Sequence, residues 1–487
     1  MLTVCKGSVP EIRRLQIDAL LKMEDKEDMH HILNGVELKP FQAIGSMFMY
    51  LSGRCLLGDS PGLGKTIQVA GALKLAQLYG ELKKVICIVP TSSIYQFTSE
   101  IEYTTGLKML PIFGNKNQIN KIWEEGIDNY DGIVTNYSAF SQGTELTKKL
   151  VPVADLFNAC VLDESLVIQN KETIIYQTVF QIFKRMDFKF CLNGTSLTRN
   201  LEQFYNQIYC LDPQIEMTLS DINNIYGVRG VKNGRDNQLI GYARTHTVPK
   251  HFIYHYIGRD RRELNLETDA SFEPIYVEPS EQQLTLLDGM NYNEVLFCPS
   301  KFGIKLSPKY VPALQTLIDR VKLHLPTSKV VIYSKHIDIK PIMKNYLEAL
   351  VPHCKVGIID GEVSNPEERE RIRLDFEKDE TNVLITSITK SLNLGSANVM
   401  IMYGLTEDWA QAILRIDRGV EGGSTKLYEV LVHLGTPQVN QIKRLRKNEA
   451  LLNDSFNKNY RMFSTLDDMI NLSEQYYYKY GKLTESE

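Results

Sequence analysis

At 487 residues the chain is too long for one hydrophobic core, and two main domains with small appendages are expected. Its 43% hydrophobic and 23% charged content is ordinary for a soluble globular protein. A net charge of −4 excludes a polycation, so any nucleic-acid contact has to run through a local basic groove.

The N-terminal MLTVCKGSVPEIRR has no apolar signal core, and no apolar run approaches the ~18 residues of a membrane span. Secretion and membrane insertion are therefore not expected. The eight cysteines are scattered without a C-x-x-C pair and read as small buried hydrophobes in a reducing compartment. That compartment is the cytoplasm, or the nucleus in a eukaryotic cell.

Residues 1–35 read as a helical preface. In Glu11–Met23, Ile12, Leu15, Ala19 and Met23 fall at helical spacing and predict a face that packs on the next domain. LKPFQAIGSMFMYL (38–51) is a second helix with Pro40 near its start. Gln42 offers both donor and acceptor and can pair with an adenine edge, although a glutamine at a helix start is commonly just solvated.

LLGDSPGLGKT (56–66) is the stretch around which the chain is organised. A strand end runs into a glycine-rich turn, and Lys65-Thr66 open a helix. Gly62 and Gly64 allow backbone N–H groups to curl around a phosphate, and the helix N-terminus adds unpaired N–H groups. Lys65 can reach the β- and γ-phosphates of ATP, and the Thr66 hydroxyl can hold Mg²⁺. Asp59 stands where the strict phosphate-loop template places a glycine.

Downstream, VICIV (85–89), GIVT (132–135), CVLDE (160–164) and KFCL (189–192) read as buried parallel strands, which predicts a doubly wound α/β sheet. Asp163-Glu164 ends one of them. There Asp163 can hold Mg²⁺ and Glu164 can polarise the attacking water, although an aspartate at this place also caps helices. The stretch 216–300 reads as a connector with an inserted lobe. Its Arg259, Arg261 and Arg262 are either a solvated surface or phosphate-backbone contacts.

A second series follows: KVVIY (329–333), KVGII (355–359), NVLIT (382–386), NVMIM (398–402) and LYEVLV (427–432), with a helix at Pro366–Lys378. It ends in EDWAQAILRIDRG (407–419), where Arg415 and Arg418 share a face if the segment is helical. They can serve as arginine fingers on a γ-phosphate, with Gln411 on the neighbouring turn. The tail 441–487 opens as a basic amphipathic helix.

Taken in order, these segments resemble superfamily 2 helicase-type motors of the Swi/Snf group. LKPFQAIG resembles the family's glutamine-containing entry motif, LLGDSPGLGKT its phosphate loop, and IVPTSSIYQFTSEI and VTNYSAF its DNA-tracking motifs. VLDESLVIQN resembles the Asp-Glu-Ala-His box, with Ser165-Leu166 in place of Ala-His. LNGTSLTRNLEQFYNQIYCLDP resembles the coupling motif, with Gly194-Thr195-Ser196 for Gly-Thr-Pro. SPKYVPALQTLI with KVVIYSK resembles the entry to the second lobe, and IIDGEVSNPEERERIRLDFE the family's Asp-Gly segment. WAQAILRIDR resembles the arginine-finger motif. TSITKSLNLGSAN keeps only Leu392-Asn393-Leu394 of the glycine-rich motif.

The resemblance implies two tandem RecA-like doubly wound lobes, at 36–215 and 301–440. They are flanked by the extension 1–35, the connector 216–300 and the tail 441–487. It implies an ATP- and Mg²⁺-dependent motor that translocates on duplex or branched DNA without sequence preference, in replication, recombination or repair. Lys65, Thr66, Asp163, Glu164, Arg415 and Arg418 then share one nucleotide. No histone-reading segment is visible, so a minimal, monomeric motor is expected, with replication or recombination proteins as possible partners. The altered coupling motifs leave open an ATP-gated, non-hydrolytic binding module.

Overall fold

The computed structural model describes residues 3–23, 31–60, 62–124, 126–140, 144–194, 201–232, 235–243, 245–259, 264, 270–287, 292–361, 363, 365–387, 394–405, 412, 416, 426–433, 435–436 and 438–443. The chain divides into two units between Leu266 and Glu267, inside the 216–300 stretch.

Unit 1 contains β1 (His31–Leu33), β2 (Val36–Leu38), β3 (Arg54–Leu57), β4 (Lys84–Val89), β5 (Met109–Pro111), β6 (Gly132–Asn136), β7 (Phe157–Asp163), β8 (Phe188–Leu192), β9 (Gly227–Lys232), β10 (Arg235–Tyr242) and β11 (Tyr256–Ile257). Seven of these form one sheet in the order β11-β3-β8-β7-β4-β6-β5, and every neighbouring pair is parallel. β1–β2 and β9–β10 are separate antiparallel hairpins.

A parallel sheet is covered on both faces, so its strands carry apolar side chains in both directions. Ile86, Ile88, Cys160, Leu162 and Cys191 belong to one core. Val85, Cys87, Val161, Phe190 and Leu192 belong to the other. All eight cysteines are free and buried. Burial pushes the thiols of Cys55, Cys87, Cys160 and Cys191 above their ordinary range, so they remain protonated filler rather than nucleophiles.

Helices α1 (Glu11–Lys22), α2 (Pro40–Ser52), α3 (Lys65–Leu78) and α4 (Ile94–Thr105) contribute to the second core. The face of α1 differs from expectation. Ile17 and Leu20 are buried with Phe48 and Met49 of α2, whereas Ile12 and Leu15 are 65% and 59% exposed. Two apolar stripes run along this helix, and spacing alone does not choose between them. Arg13 decides the rotation: its guanidinium lies over the Tyr50 ring, donates to the Tyr50 carbonyl and pairs with Glu81.

The N-terminal residues are tied into the same unit. The Ser8 N–H and Oγ donate to Asp212 Oδ2 at 2.6 and 2.9 Å, and His255 Nε2 lies 3.0 Å from the same oxygen. Burial alone would raise the Asp212 pKa, but the His255 hydrogen bond, the Ser8 N–H and the His255 charge outweigh it and hold the carboxyl well below its usual range. A carboxylate with a depressed folded pKa contributes stability that is fully present above its unfolded value, near 4. That contribution is lost as pH falls toward the depressed value. Asp212→Asn is therefore expected to destabilise unit 1 by about 1–3 kcal/mol at pH 7. In urea titrations the gap to wild type should narrow progressively as pH falls below about 4; a gap of constant size would remove Asp212 as its source.

Unit 2 contains β12 (Ala270–Tyr276), β13 (Val330–Tyr333), β14 (Val356–Ile359), β15 (Val383–Thr386), β16 (Val399–Met402) and β17 (Lys426–Val432). They form an all-parallel sheet in the order β12-β17-β16-β13-β15-β14. All nine strands named from the sequence are present, with small shifts at their ends. The 216–300 stretch gives each sheet an edge strand, β11 to the first and β12 to the second.

Candidate functional site

The register of the first sheet aligns its carboxyl ends in one row. Ile257 pairs with Leu57, Leu57 with Leu192 and Leu192 with Asp163, while Val89 pairs with Asn136 on the next two strands. Neighbouring strands lie about 4.8 Å apart. The loop that leaves β3 at Gly58 therefore starts about 10 Å, two strands, from the end of β7 at Asp163. Ligands of open parallel sheets sit at this edge.

Within the loop, Gly62 and Gly64 have φ of 84° and 72°, the left-handed region that the sequence reading required of them. Gly64 caps α3. A Cβ on Gly64 would lie 2.5 Å from Gln42 Nε2, so both conformation and space demand glycine. Lys65 and Thr66 open α3, and Lys65 Nζ donates to the Asp59 carbonyl at 3.0 Å. A 14-residue helix starting at a curled loop presents N–H groups and a partial positive charge to an anion.

Gln42 is buried on the first turn of α2. Its Oε1 accepts from the Lys39 N–H at 3.0 Å, and its Nε2 donates to the Leu63 carbonyl at 3.2 Å. A primary amide has two donors and two acceptor lone pairs, so these bonds leave capacity for a base edge while tying the residue to the phosphate loop.

Asp59, the departure from the loop template, is fully buried. Its Oδ1 accepts from the Arg259 N–H and Nε, both at 3.0 Å. Its Oδ2 accepts from the second guanidinium nitrogen at 2.7 Å and from Gln68 Nε2 at 2.9 Å. Both readings offered for Arg259, solvated surface or phosphate contact, are thus corrected: its side chain is 14% exposed and serves the loop from inside. A carboxylate without a glycine's freedom is tolerated at position 59 because it faces inward to this partner. Arg261 and Arg262 lie outside the described residues.

Glu164 follows β7 with φ 52° and ψ 49°. Tyr137 Oη donates to the Asp163 carbonyl at 2.6 Å. Burial first, then the Asp163 charge, pushes the Tyr137 phenol well above its ordinary range, so it stays a neutral donor that fixes the strand end. Ser165, which replaces the alanine of the family box, is buried, and its Oγ donates to Gln207 Oε1 at 2.8 Å. Gln207 sits on the helix Leu201–Leu211, just after the Gly194-Thr195-Ser196 segment. Sequence reasoning did not single out Gln207 or Gln68, and it misread Arg259. Their role depends on partners far away in the chain, and no local motif marks them.

Thr195 and Ser196 lie outside the described residues, as do Leu392, Asn393, Gln411, Arg415 and Arg418. Of the 407–419 stretch, Ala412 and Ile416 are described, and both are fully buried in a core of unit 2. No group of three or more potential metal ligands occurs among the described residues. The donor set at the strand edge, one hydroxyl (Thr66) and one carboxylate (Asp163), is of the kind that binds Mg²⁺ beside substrate phosphates rather than in an all-protein cage.

A curled loop on a helix N-terminus, with an acidic pair two strands away on a parallel sheet, defines a phosphate-loop nucleotide-binding unit. The family model for the SNF2-related domain matches residues 31–284, and that for the helicase conserved C-terminal domain matches 311–423. The chain belongs to the SNF2-related family, the Swi/Snf-type group of superfamily 2 helicases, and its two sheets are the tandem RecA-like lobes of that fold.

The ATP-dependent helicase FUN30 of Saccharomyces cerevisiae is 25% identical over 211 residues, 42% of this chain and 18% of that protein. The DNA repair and recombination protein RAD54B of Homo sapiens is 26% identical over 206 residues, 39% of this chain and 22% of that protein. An uncharacterized ATP-dependent helicase of Bacillus subtilis, YqhH, is 24% identical over 403 residues, 73% and 67% of the two chains. The match thus spans under a quarter of FUN30 and RAD54B. The solved SWI2/SNF2 ATPase core of Sulfolobus solfataricus in complex with dsDNA aligns over 91% of this chain and 98% of that one, at 17% identity and a TM-score of 0.42.

Proposed function

We propose that the protein is a DNA-dependent ATPase that moves along duplex or branched DNA. The observation that supports this reading is the row of strand ends in which the loop carrying Gly62, Gly64, Lys65 and Thr66 leaves β3 two strands from the end of β7 at Asp163, in a chain of the SNF2-related family. Gln42 reads the adenine edge. The loop N–H groups and Lys65 hold the phosphates, and Thr66 and Asp163 hold Mg²⁺, which neutralises phosphate charge. Glu164 orients the attacking water and receives its proton. Arg415 and Arg418 complete the charge around the γ-phosphate. The work is positioning and electrostatic stabilisation, with no covalent intermediate.

DNA is held by its phosphates, so binding is largely independent of sequence and weakens steeply with salt. Fork remodelling or branch migration in replication, recombination or repair is the setting we favour; one relative named for DNA repair and recombination supports it.

Turnover of ATP on duplex, single-stranded, forked and four-way-junction DNA tests the reading. Stimulation by at least one DNA is expected, together with a loss of about 10²–10³-fold in Lys65→Ala, which removes a preorganised cation from the phosphates. Folded protein that binds ATP but never hydrolyses it would instead indicate a nucleotide-gated binding module.

A further inference from the structure

Arg259 does more than neutralise Asp59. Its guanidinium also donates to Gln68 Oε1 at 2.6 Å and to the Phe41 carbonyl, and it lies 5.3 Å from the centroid of the Phe41 ring. One planar fork therefore touches the first turn of α2, the phosphate loop and the second turn of α3. Its backbone continues the sheet into the loop: Gly58 N–H donates to the Ile257 carbonyl at 2.7 Å, and Ser60 N–H to the Arg259 carbonyl at 2.9 Å. Gly45 opens the space that this contact needs, since a Cβ there would lie 1.9 Å from Gln68 Oε1 and 2.8 Å from the guanidinium.

We infer that Arg259 is a positioning residue that fixes the separation between the base reader, Gln42 on α2, and the phosphate cradle at 58–66. It touches neither base nor phosphate itself. Residue 42 and the loop are on different elements, and nucleotide selectivity requires both to be engaged at once by one rigid ligand. Only a bidentate, planar cation serves Asp59, Gln68 and the Phe41 carbonyl together; a lysine ammonium is a point charge on a flexible stem. The inference rests on Gln42 and the loop being parts of one ATP site.

The test compares Kd for ATP, GTP and inorganic tripolyphosphate in the full chain, for wild type, Arg259→Lys and Gly45→Ala. Arg259→Lys keeps the charge on Asp59 but loses the fork; Gly45→Ala keeps the arginine but drives both Gln68 and the guanidinium out of their contact. In both, ATP affinity should fall by about 10-fold, the scale of one lost hydrogen bond. The preference for ATP over GTP should collapse, and tripolyphosphate should change far less. An unchanged ATP-to-GTP ratio in both folded variants overturns the inference. So does an equal loss for all three ligands accompanied by a lower Tm, which is what a purely structural role gives. If Arg259→Lys does not fold, Gly45→Ala decides alone. Wild-type protein that binds none of the three ligands sinks the nucleotide-site reading itself, a result distinct from either.

Discussion

Glu164→Gln is expected to lower DNA-stimulated kcat by about 10²–10⁴-fold, the usual contribution of a positioned general base, while leaving the Kd for ATP close to wild type. The amide keeps the size of the side chain and removes the proton acceptor. The backbone singles out this residue independently of any motif. Four non-glycine residues among those described have positive φ: Asn34, Glu164, His353 and Asp379. Asn34 lies in the β1–β2 turn, and His353 and Asp379 follow helix ends, ordinary places for left-handed asparagine, histidine and aspartate. A glutamate in that region, at the end of a buried strand on the ligand edge, is held there by its surroundings at a cost of about 1–2 kcal/mol.

A second variant separates strain from chemistry. Glu164→Gly accepts the backbone conformation without a Cβ, so stability should rise by up to about 1 kcal/mol while turnover falls as in Glu164→Gln. Wild-type kcat in Glu164→Gln would remove this residue from the chemistry. A drop in stability for Glu164→Gly would show that the left-handed backbone is not a strain imposed on the site.

The parts of this molecule that could be read from its sequence are those whose physics is local. Buried parallel strands such as β4 and β8 appear as short β-branched or aromatic runs because both of their faces are covered. The phosphate loop was legible because its glycines answer a backbone requirement that the φ values of Gly62 and Gly64 display. The edge strands β11 and β12 were not. β11 has two residues, and β12 reads ASFEPIY with a proline inside it, a composition allowed only at a sheet edge.

The largest gap concerns Asp59. Its departure from the loop template was visible, but its explanation is an arginine 200 residues away, and no periodicity links the two. The rotation of α1 was illegible for a related reason. Two stripes compete, and the winner is set by Arg13 reaching Tyr50 and Glu81.

Arg320→Met is expected to destabilise unit 2 by about 3–5 kcal/mol, the range for a buried ion pair broken from one side. Glu429, in the middle of β17, has no exposed side-chain surface. Arg320 Nε donates to its two oxygens at 3.0 and 2.9 Å, and His324 Nε2 lies 2.7 Å from Oε1. Glu273 of β12 pairs in register with Glu429, and its charge, after the Glu429 hydrogen bond, helps raise the Arg320 pKa. The same guanidinium thus answers two like charges on adjacent strands.

Loss of the two partners should not cost the same. Removing Arg320 leaves a carboxylate that cannot reach water and that retains His324 but not the guanidinium. Removing the Glu429 charge, in Glu429→Gln, leaves an arginine that is 25% exposed and can turn outward, so the smaller loss is expected there. The double replacement Arg320→Met/Glu429→Leu should recover most of the difference, because an apolar pair of similar volume replaces the ions. Denaturant midpoints of the full-length variants, with Glu429→Leu added as a single variant so that the double-mutant cycle closes, measure this asymmetry; equal costs for Arg320→Met and Glu429→Gln would refute it. The same proteins separate the roles of the units. Arg320→Met leaves unit 1 untouched, so ATP binding should survive in conditions where unit 2 has unfolded. DNA-stimulated turnover should be lost with it.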